Sequence, residues 1–334
     1  MFGKTDRSTT FENLRVSGTG HYTRISRSHI FAARTLAAAA RHRPDHIIST
    51  HVNFGPVAHI ARRTLGTPYT LVAHGIDIHP GIPRSTLAAL RAADRIVAVS
   101  SWTRLRVLDL GGIEPEQVTV LPNTFDETRF SIGPRPRNLA RKYGIRDDER
   151  VIVTVARLAG DERYKGYDRI VHALPILQKT CGPVRFILVG KGEDRPRVHA
   201  LARVLGVERS VTFAGFVSDD ELADHYRLAD VFAMPSTGEG FGIVFLEAMG
   251  CGTPVVAGNR DGSVDALDQG RLGCLVDPND VCAIAGGIRA LLDRSGPQWW
   301  FDRRLLRSAV LERFSQAAFR ANMQKALLLN AQAR

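Results

Sequence analysis

The stretch GEGFGIVFLEAMGCGTPVV, from Gly238 to Val256, decides the fold of this 334-residue chain. Two glutamates lie eight positions apart in it, Glu239 in a glycine-rich turn and Glu247 two turns into the apolar helix that follows. Glycine lets a backbone approach a ligand closely, and the amides at a helix start favour a bound phosphate. The stretch therefore predicts a site for a polyanion that also carries hydroxyl groups, with Glu247 as a hydroxyl acceptor.

Helical periodicity assigns the two faces of that helix. We expect Glu247 to point towards the ligand. The face expected to pack on a sheet contains Ile243, Leu246 and Met249 or Gly250. The alternative interpretation is that a glycine-rich turn before such a helix is only the ordinary connection between a strand and a helix in an α/β domain.

Length and composition limit the architecture. A chain of 334 residues exceeds the usual size of one compact core, and 44% apolar residues is ordinary for a globular protein. The four cysteines are scattered, without a C-x-x-C pair or histidines at ligand spacing. No apolar run reaches the length of about 18 residues that a membrane span needs. We therefore expect two domains in the cytoplasm and no metal.

The charge of the chain is high and uneven. It is +11 overall, and residues 1–43 carry eight Lys or Arg against two Asp or Glu. This bias favours polyanions, so we expect peripheral contact with an anionic inner-membrane surface or a lipid pyrophosphate. Nucleic acid is not expected, because helix-turn-helix, RNP and finger signatures are absent from the region. A solvated arginine-rich face is the alternative, and the oligomeric state is left unknown.

Strands and helices alternate along the chain, which predicts parallel sheets with helices on both faces. The strands of the first half are expected at 46–50, 69–73, 95–100 and 118–121. Residues 122–148, rich in Pro, Arg and Asn, predict a linker with a short helix at 138–143. The strands of the second half are expected at 151–155, 184–189, 211–213, 231–234 and 255–257. Beyond Leu275 the pattern is helical, with helices near 282–294 and 315–329.

Four segments of the second half resemble the C-terminal domain of family-four retaining glycosyltransferases, which have the GT-B architecture. In that family's order and spacing they are VARLAGDERYKGYDRIV, ILVGKGEDRPRV, FAGFVSDDELADHY and the stretch with the two glutamates. The segments TLVAHGIDI, RIVAVSSWTRLRVL and VLPNTFD resemble the later part of the family's N-terminal domain. The resemblance implies an α/β protein with two Rossmann-like parallel-sheet domains that face each other across a cleft.

The resemblance also implies the domain bounds. Residues 1–135 form the acceptor-side domain, 136–312 form the domain that binds the nucleotide sugar, and 313–334 form a C-terminal helix that crosses back. A βαβ unit needs about 30 residues, so the 45 residues before His46 are too few for the family's opening units. The basic, polar surroundings of Asn13–Gly20 argue against a buried parallel strand there. We therefore expect a truncated N-terminal domain.

Two cations are expected at the leaving diphosphate, by the same resemblance. They are Arg157, just past a strand, and Lys165, eight residues on. A nucleotide diphosphate gains negative charge as the glycosidic bond breaks, and preplaced cations stabilise it. Arginine suits bidentate contact with phosphate oxygens, whereas lysine supplies a movable charge. No metal or cofactor is therefore expected, and the co-substrate is a GDP- or UDP-linked sugar.

The resemblance places the rest of the donor around the two glutamates. Glu247 accepts the ribose hydroxyls, and Glu239 contacts the transferred sugar and helps to stabilise the charged transition state. The turn backbone that grips the sugar and the terminal phosphate comprises Gly240, Phe241, Gly242 and Ile243. The nucleoside side is expected at Gly190 and Gly192, and the base at the backbone of Phe216 and Val217.

His74, in the segment AHGID, completes the predicted catalytic set of Glu239, His74, Arg157 and Lys165. Parallel sheets bind ligands at strand ends, so we expect His74 to hydrogen-bond the donor sugar or its departing phosphate across the cleft. A lone histidine after a strand is often structural, and the role of the nearby Asp77 is left open.

The sequence thus predicts a retaining hexosyltransferase, with mannose favoured, that acts on a glycan or lipid-linked acceptor in cell-envelope or exopolysaccharide synthesis. In front-face attack the leaving phosphate itself takes the acceptor proton, so no protein nucleophile is assigned. Two alternatives stay open: a catalytically impaired remnant that binds sugar nucleotide without transfer, and a GT-B epimerase.

Overall fold

A computed structural model of the protein describes residues 9–11, 14–16, 24–79 and 81–328. The chain separates into two compact units. The smaller unit contains the described residues up to Ala73, residues 81–97 and Leu110–Val118. The larger unit contains His74–His79, Ala98–Asp109 and residues 119–328. The segments around His74 and Trp102 therefore belong to the same unit as the glycine-rich stretch. The predicted domain bounds near residues 135 and 312 stay predictions.

Short strands and helices alternate in the first half. The elements are β1 Thr9–Phe11, β2 Leu14–Val16, α1 Arg24–His42, β3 Ile47–Ser49, α2 Gly55–Leu65, β4 Tyr69–Ala73, α3 Arg84–Arg91, β5 Arg95–Ala98, α4 Ser101–Leu108 and β6 Val118–Val120. The main sheet has the order β3-β4-β5-β6, and β3 pairs in parallel with β4. β1 and β2 form a separate antiparallel pair, so the segment that includes Leu14–Val16 is not a buried parallel strand, as the sequence indicated.

The second half continues the alternation with longer strands. The elements are α5 Arg137–Lys142, β7 Arg150–Val155, α6 Tyr167–Cys181, β8 Val184–Val189, α7 Arg195–Val204, β9 Val211–Gly215, α8 Asp219–Leu228, β10 Val231–Met234, α9 Ile243–Gly250, β11 Val255–Gly258, α10 Ser263–Ala266, β12 Cys274–Val276, α11 Val281–Leu292, α12 Arg303–Phe314 and α13 Gln316–Leu328. The sheet has the order β12-β11-β10-β7-β8-β9, with every neighbouring pair parallel.

The apolar core explains why this sheet forms. β7 and β8, with sequences RVIVTV and VRFILV, are almost continuous apolar runs, as expected for strands buried on both faces. Ile152, Phe186 and Leu188 are fully buried in a cluster that also includes Leu174 of α6 and Ile288 of α11. The helices thus cover the sheet and hold its strand ends in place.

The strand order fixes where a ligand site is expected. From β7 the chain moves outwards to β8 and β9, and then returns to place β10 on the other side of β7. Ligands of open parallel sheets bind at the carboxyl ends of the strands beside such a reversal. The residues that follow β7 and β10, including Arg157 and Gly238, therefore lie where a ligand is expected.

Three elements near the C-terminus were missed or misjudged from sequence. β12 extends to Val276, so the helical pattern predicted beyond Leu275 begins only with α11 at Val281. α10 and α12 were not predicted as separate helices. The start of α12 does have a sequence signal, because Asp302 is of a residue type preferred at the N-cap of a helix. In the structure its side chain accepts hydrogen bonds from the N–H groups of Arg304 and Leu305.

Among the described residues, no helix combines the length and the apolar character that crossing a bilayer requires.

Candidate functional site

Arg157 lies two residues beyond β7 in a segment whose backbone is fixed. The N–H of Ala156 donates to Val189 O (2.9 Å), and the N–H of Leu158 donates to Lys191 O (3.1 Å). The side chain of Arg157 is nevertheless 75% exposed. The backbone of Arg157 is therefore held by its hydrogen-bonded neighbours, while the guanidinium that is predicted to contact the diphosphate reaches solvent.

Glu162 joins the two predicted phosphate cations. Its carboxylate pairs with the guanidinium of Arg157, and its Oε2 lies 3.0 Å from Lys165 Nζ. The side chains of Glu162 and Lys165 are only 8% and 16% exposed. The structure therefore brings Arg157 and Lys165 to one buried acid. Sequence analysis missed Glu162, although an acid between two cations of one short loop was a visible signal.

Two glycines of the GKG turn allow this loop to pack. A Cβ on Gly190 would lie 1.9 Å from Ala156 O, and a Cβ on Gly192 would lie 2.0 Å from Leu158 O. No other residue fits such an approach. Gly190 and Gly192 are thus needed for packing under Arg157, whatever contact they make with a nucleoside.

The segment predicted to hold the base follows β9 directly. Phe216 is 72% exposed, and Lys191 Nζ lies 5.2 Å from the centroid of its ring. Val217 is half-buried. The N–H of Gly190 donates to Gly215 O (2.8 Å), so the GKG turn and the Phe216 segment are neighbours.

The glycine-rich loop after β10, residues 235–242, touches both the segment after β4 and residues 156–165, which we call the cation loop. The N–H of Thr237 donates to Tyr164 O (2.9 Å). A Cβ on Gly240 would lie 1.9 Å from His74 O. The backbone of His74 therefore packs directly on Gly240, and the structure brings these two predicted residues together.

Asp261 and Gly262 hold the same loop from another side. Asp261 is buried, and its Oδ2 accepts a hydrogen bond from the N–H of Glu239 (2.7 Å). The N–H of Gly262 donates to Glu239 O (2.8 Å). Both backbone polar groups of Glu239 are thus paired, which fixes the point from which its side chain extends. Sequence analysis missed Asp261, although an Asp-Gly pair just after a buried strand is a recognised turn signal.

The carboxylate of Glu239 lies in a mixed electrostatic field. Burial raises its pKa, the positive charge of Lys165 opposes that shift, and the negative charges of Asp261 and Glu162 add to it. Glu239 therefore interacts with the cation loop as well as with the loop that carries it. An ionised carboxylate in this position can accept hydrogen bonds from hydroxyl groups.

Glu247, on α9, has a different setting. The hydroxyl of the fully buried Tyr226 donates a hydrogen bond of 2.7 Å to its Oε2. Burial raises the pKa of Glu247, and that hydrogen bond opposes the shift. The residue lines a cavity of about 570 Å³ whose wall also includes Asp126, Arg129 and Ile243. The Tyr226 hydroxyl therefore fixes the carboxylate predicted to hold the ribose.

The predicted orientation of Ile243 is wrong. Its side chain is 40% exposed, whereas Leu246, Met249 and Gly250 are buried as expected. Ile243 and Glu247 are four positions apart, so they lie on the same helix face, and both line the cavity of about 570 Å³. The start of α9, preceded by Gly242 at φ +89°, is therefore open beside Glu247.

A second cavity, of about 390 Å³, is lined in part by the cation loop, although Lys165 is not among its lining residues. Its lining includes Arg157, Glu162 and Tyr164 from that loop, with Thr237 and Gly238 from the glycine-rich loop. The wall is completed by Gly75, Ile76, Trp102, Arg106 and Asp161. The structure thus places Arg157 beside the glycine-rich loop in one cavity, while Glu247 lines another.

Two of these wall residues, Trp102 and Arg106, were not expected. The guanidinium of Arg106 lies 4.7 Å from the centroid of the Trp102 ring, and its Nε donates to Ile78 O (3.0 Å). The spacing of four residues on α4 was visible in the sequence, but only the packing shows that the pair borders Arg157.

His74 and Asp77 form a compact turn after β4. The N–H of His74 donates to Oδ1 of Asp77 (2.8 Å), and Asp77 is buried. Asp77 therefore braces the backbone that Gly240 packs against. Within the described part of the chain, no group of three or more His, Cys, Asp or Glu is arranged to hold a metal ion.

Comparison with known proteins identifies the family. The model described as Glycosyl transferases group 1 matches residues 137–301, and that described as Glycosyltransferase Family 4 matches residues 3–129. The GDP-mannose-dependent alpha-(1-6)-phosphatidylinositol monomannoside mannosyltransferase of Mycobacterium tuberculosis is 34% identical over 265 residues, which cover 74% of this chain and 68% of that protein. The chain belongs to the group 1 glycosyltransferases.

A second relative of this glycosyltransferase is the D-inositol 3-phosphate glycosyltransferase of Acidothermus cellulolyticus. It is 34% identical over 291 residues, which cover 79% of this chain but only 63% of that protein. Among solved structures, HepE of Anabaena in complex with UDP aligns with a TM-score of 0.77 and 24% identity, over 89% of this chain and 82% of that one. This likeness shows the fold, and the predicted GT-B architecture is confirmed.

Proposed function

We propose that this glycosyltransferase moves a hexose from a nucleotide diphosphate sugar to a glycan or lipid-linked acceptor, with retention of anomeric configuration. The main support is the pairing of both Arg157 and Lys165 with Glu162 after the carboxyl end of β7. Two cations held together there suit the two phosphates of a leaving nucleotide.

The two glutamates are assigned to hydroxyl groups of the donor. Glu239 accepts hydrogen bonds from the transferred sugar, and its interaction with Lys165 supports a position near the diphosphate end. Glu247, held by Tyr226, accepts the ribose hydroxyls. The amides from Gly240 to Ile243, at the start of α9, grip the sugar and the terminal phosphate.

The reaction needs no nucleophile from the protein. The bond between the anomeric carbon and the phosphate oxygen breaks as the acceptor oxygen attacks from the same face. The acceptor proton passes to the departing phosphate, whose charge Arg157 and Lys165 stabilise. His74 donates a hydrogen bond to the sugar or to that phosphate. Glu239 stabilises positive charge that develops on the sugar ring.

Mannose from GDP-mannose is the favoured donor, because the relative in Mycobacterium tuberculosis is described as GDP-mannose-dependent. The acceptor named for that relative is a phosphatidylinositol monomannoside, which supports a lipid-linked acceptor here. A UDP-linked sugar is the other donor to test, since HepE was solved with UDP. We place the reaction at the cytoplasmic face of the membrane, in cell-envelope or exopolysaccharide synthesis.

A second candidate function is sugar-nucleotide binding without transfer. It is kept because the match covers only 63% of the Acidothermus relative, so the activity of that relative does not transfer automatically.

Radiolabel transfer separates the two candidates. The protein is incubated with labelled GDP-mannose or UDP-glucose and a membrane lipid extract. The same assay is run with Glu239→Gln and with the control Glu208→Gln, which replaces an exposed glutamate just before β9. We expect label in the lipid fraction with the wild type and the control and much less with Glu239→Gln. Donor binding without transfer or hydrolysis would favour the second candidate. Absence of both binding and transfer would contradict both.

A further inference from the structure

A third cavity, of about 240 Å³, lies at the other edge of the six-stranded sheet. Its wall includes Arg150, the first residue of β7, together with Asp230 and Pro254, which directly precede β10 and β11. Arg157, in contrast, follows the carboxyl end of β7. The six residues of β7 separate the two edges by about 20 Å. This cavity is therefore distinct from the proposed donor site.

Arginines dominate its wall. Five of the twelve lining residues are arginines, and Asp230 is the only acid among them. The five are Arg135, Arg150, Arg227, Arg294 and Arg303. Asp230 is already engaged, because its Oδ1 lies 3.2 Å from Arg135 Nη1 and its Oδ2 accepts the N–H of Val151 (2.8 Å).

Neutral carbonyl groups position three of these arginines. Arg303 donates to Gly133 O (2.9 Å), Arg227 donates to Ser131 O (2.9 Å), and Arg294 donates to Phe301 O (3.0 Å). Arg227 also pairs with Asp224, which lies outside the wall. Counted together with their two ion-pair partners, Asp230 and Asp224, the five arginines keep an excess of three positive charges.

Arg150 differs from the other four. Its backbone N–H donates to Pro183 O (3.0 Å), but within the described residues its guanidinium has no hydrogen-bond or ion-pair partner. Each guanidinium carries five N–H donors, so the wall offers many donors that the described residues do not use. Arg150 is an exposed residue, and it lines the cavity together with the other four arginines.

Like charges held close together repel one another. Burial lowers the pKa of Arg303, and the charges of Arg227 and Arg135 add to that effect. A bound anion would offset the repulsion and take up the N–H groups. Guanidinium groups match phosphate oxygens in a bidentate geometry, which single surface charges do not provide.

We propose that this cavity binds a multivalent phosphate anion at a site separate from that of the donor diphosphate. The anion is a diphosphate or phosphomonoester group, either free in solution or carried by a lipid headgroup. The side chains of Leu291, Leu292 and Phe301 supply an apolar wall on which the non-phosphate part of such a ligand packs. The inference does not depend on the donor-site assignment, since none of its residues belongs to that site.

The first test is calorimetric titration with pyrophosphate. The protein carries Arg157→Ala and Lys165→Ala, so that the cations of the proposed donor site are absent. Arg150→Ala, alone or with Arg294→Ala, is compared with Arg203→Ala, an exposed arginine on α7. We expect binding that persists in the donor-site variant, weakens about tenfold with Arg150→Ala and further with the pair, and is unchanged by Arg203→Ala. Since the guanidinium of Arg150 has no hydrogen-bond or ion-pair partner within the described residues, we expect Arg150→Ala to fold like the wild type.

The second test uses vesicles of phosphatidylcholine with or without a phosphorylated phosphatidylinositol. Flotation that requires the phosphorylated lipid and is lost with Arg150→Ala and Arg294→Ala identifies a headgroup as the source of the phosphate. Binding of pyrophosphate alone identifies a free anion. The proposal is overturned if neither pyrophosphate nor the phosphorylated lipid binds, or if Arg150→Ala with Arg294→Ala leaves the binding of both ligands unchanged. A protein that binds phosphate at this cavity but transfers no sugar would contradict only the proposed donor site.

Discussion

The ammonium group of Lys165 lies 3.0 Å from the carboxylate of Glu162, which also pairs with the guanidinium of Arg157. One buried acid therefore holds both cations that we assign to the donor diphosphate. Cations that are already in place need little reorganisation when negative charge develops between them. Glu162 is thus a positioning residue, because it acts through the two cations rather than on the substrate.

Replacing Glu162 with Gln removes the charge that holds these cations. We expect the affinity for UDP or GDP to fall about tenfold, or about 1–2 kcal/mol, since the exposed guanidinium of Arg157 limits the loss. Equilibrium titration of the folded variant measures this, with Glu208→Gln as the control. A lower melting temperature with unchanged nucleotide affinity would show that Glu162 is only structural.

Gly240 and Gly286 provide a matched pair of glycine substitutions. A Cβ on Gly240 would lie 1.9 Å from His74 O, whereas a Cβ on Gly286, in α11, meets nothing within 4 Å. We expect Gly240→Ala to lower the free energy of unfolding by about 2–3 kcal/mol and Gly286→Ala to raise it by about 0.5–1 kcal/mol. Urea denaturation checks both values. Equal effects would contradict the packing of His74 on Gly240.

The raised pKa of Glu239 makes a prediction about stability and pH. Its ordinary value is 4.5, and burial raises it in the folded protein. The folded state then binds the proton more tightly, so this stabilisation is complete below the unfolded value and is lost as the pH rises through the folded value. We expect Glu239→Gln, which cannot ionise, to melt at a higher temperature than the wild type at pH 8. The difference should vanish near pH 4, and a constant difference would refute the shift.

Asp194 gives the opposite pH dependence. Although burial raises its pKa, hydrogen bonds from Arg197, Tyr167 and Arg163 lower it from 3.8 to about 2. The resulting stabilisation is present above pH 3.8 and is lost as the pH falls through about 2. Since one pKa unit corresponds to about 1.4 kcal/mol, Asp194→Asn should cost about 2 kcal/mol at pH 7.

Urea denaturation at pH 7 measures the cost of Asp194→Asn, with the exposed Asp147→Asn as its control. Arg163 belongs to the 3-10 helix Gly160–Lys165, so this variant should also loosen the loop that ends at Lys165. Equal stability of the two variants would contradict the lowered pKa of Asp194.

The sequence was sufficient for the parts of the fold and site that depend on local pattern. Apolar runs located β7 and β8, the glycine-rich stretch singled out Glu239 and Glu247, and the resemblance to family-four glycosyltransferases singled out Arg157 and Lys165. Helix periodicity misplaced only Ile243, because the first turn of α9 is open on the side of Glu247. The strand order of the second sheet, in contrast, rests on pairings between distant segments.

The partners of the site residues could not be read from local pattern. Tyr226 and Glu247 are 21 positions apart, and Thr103 donates to Gly240 O across 137 positions. Asp261 meets the backbone of Glu239 only because β10 and β11 lie side by side. Such contacts depend on tertiary packing, and no spacing rule in one sequence contains them.

We propose that Arg157 and Lys165 hold the diphosphate of a sugar nucleotide. The most direct measurement is the equilibrium affinity for UDP and GDP of the wild type, of Arg157→Ala with Lys165→Ala, and of the control Arg203→Ala. Two charge-assisted contacts are lost, so we predict that the double variant binds about 100-fold more weakly, while the control binds like the wild type. Equal affinity of the double variant and the wild type would contradict the claim.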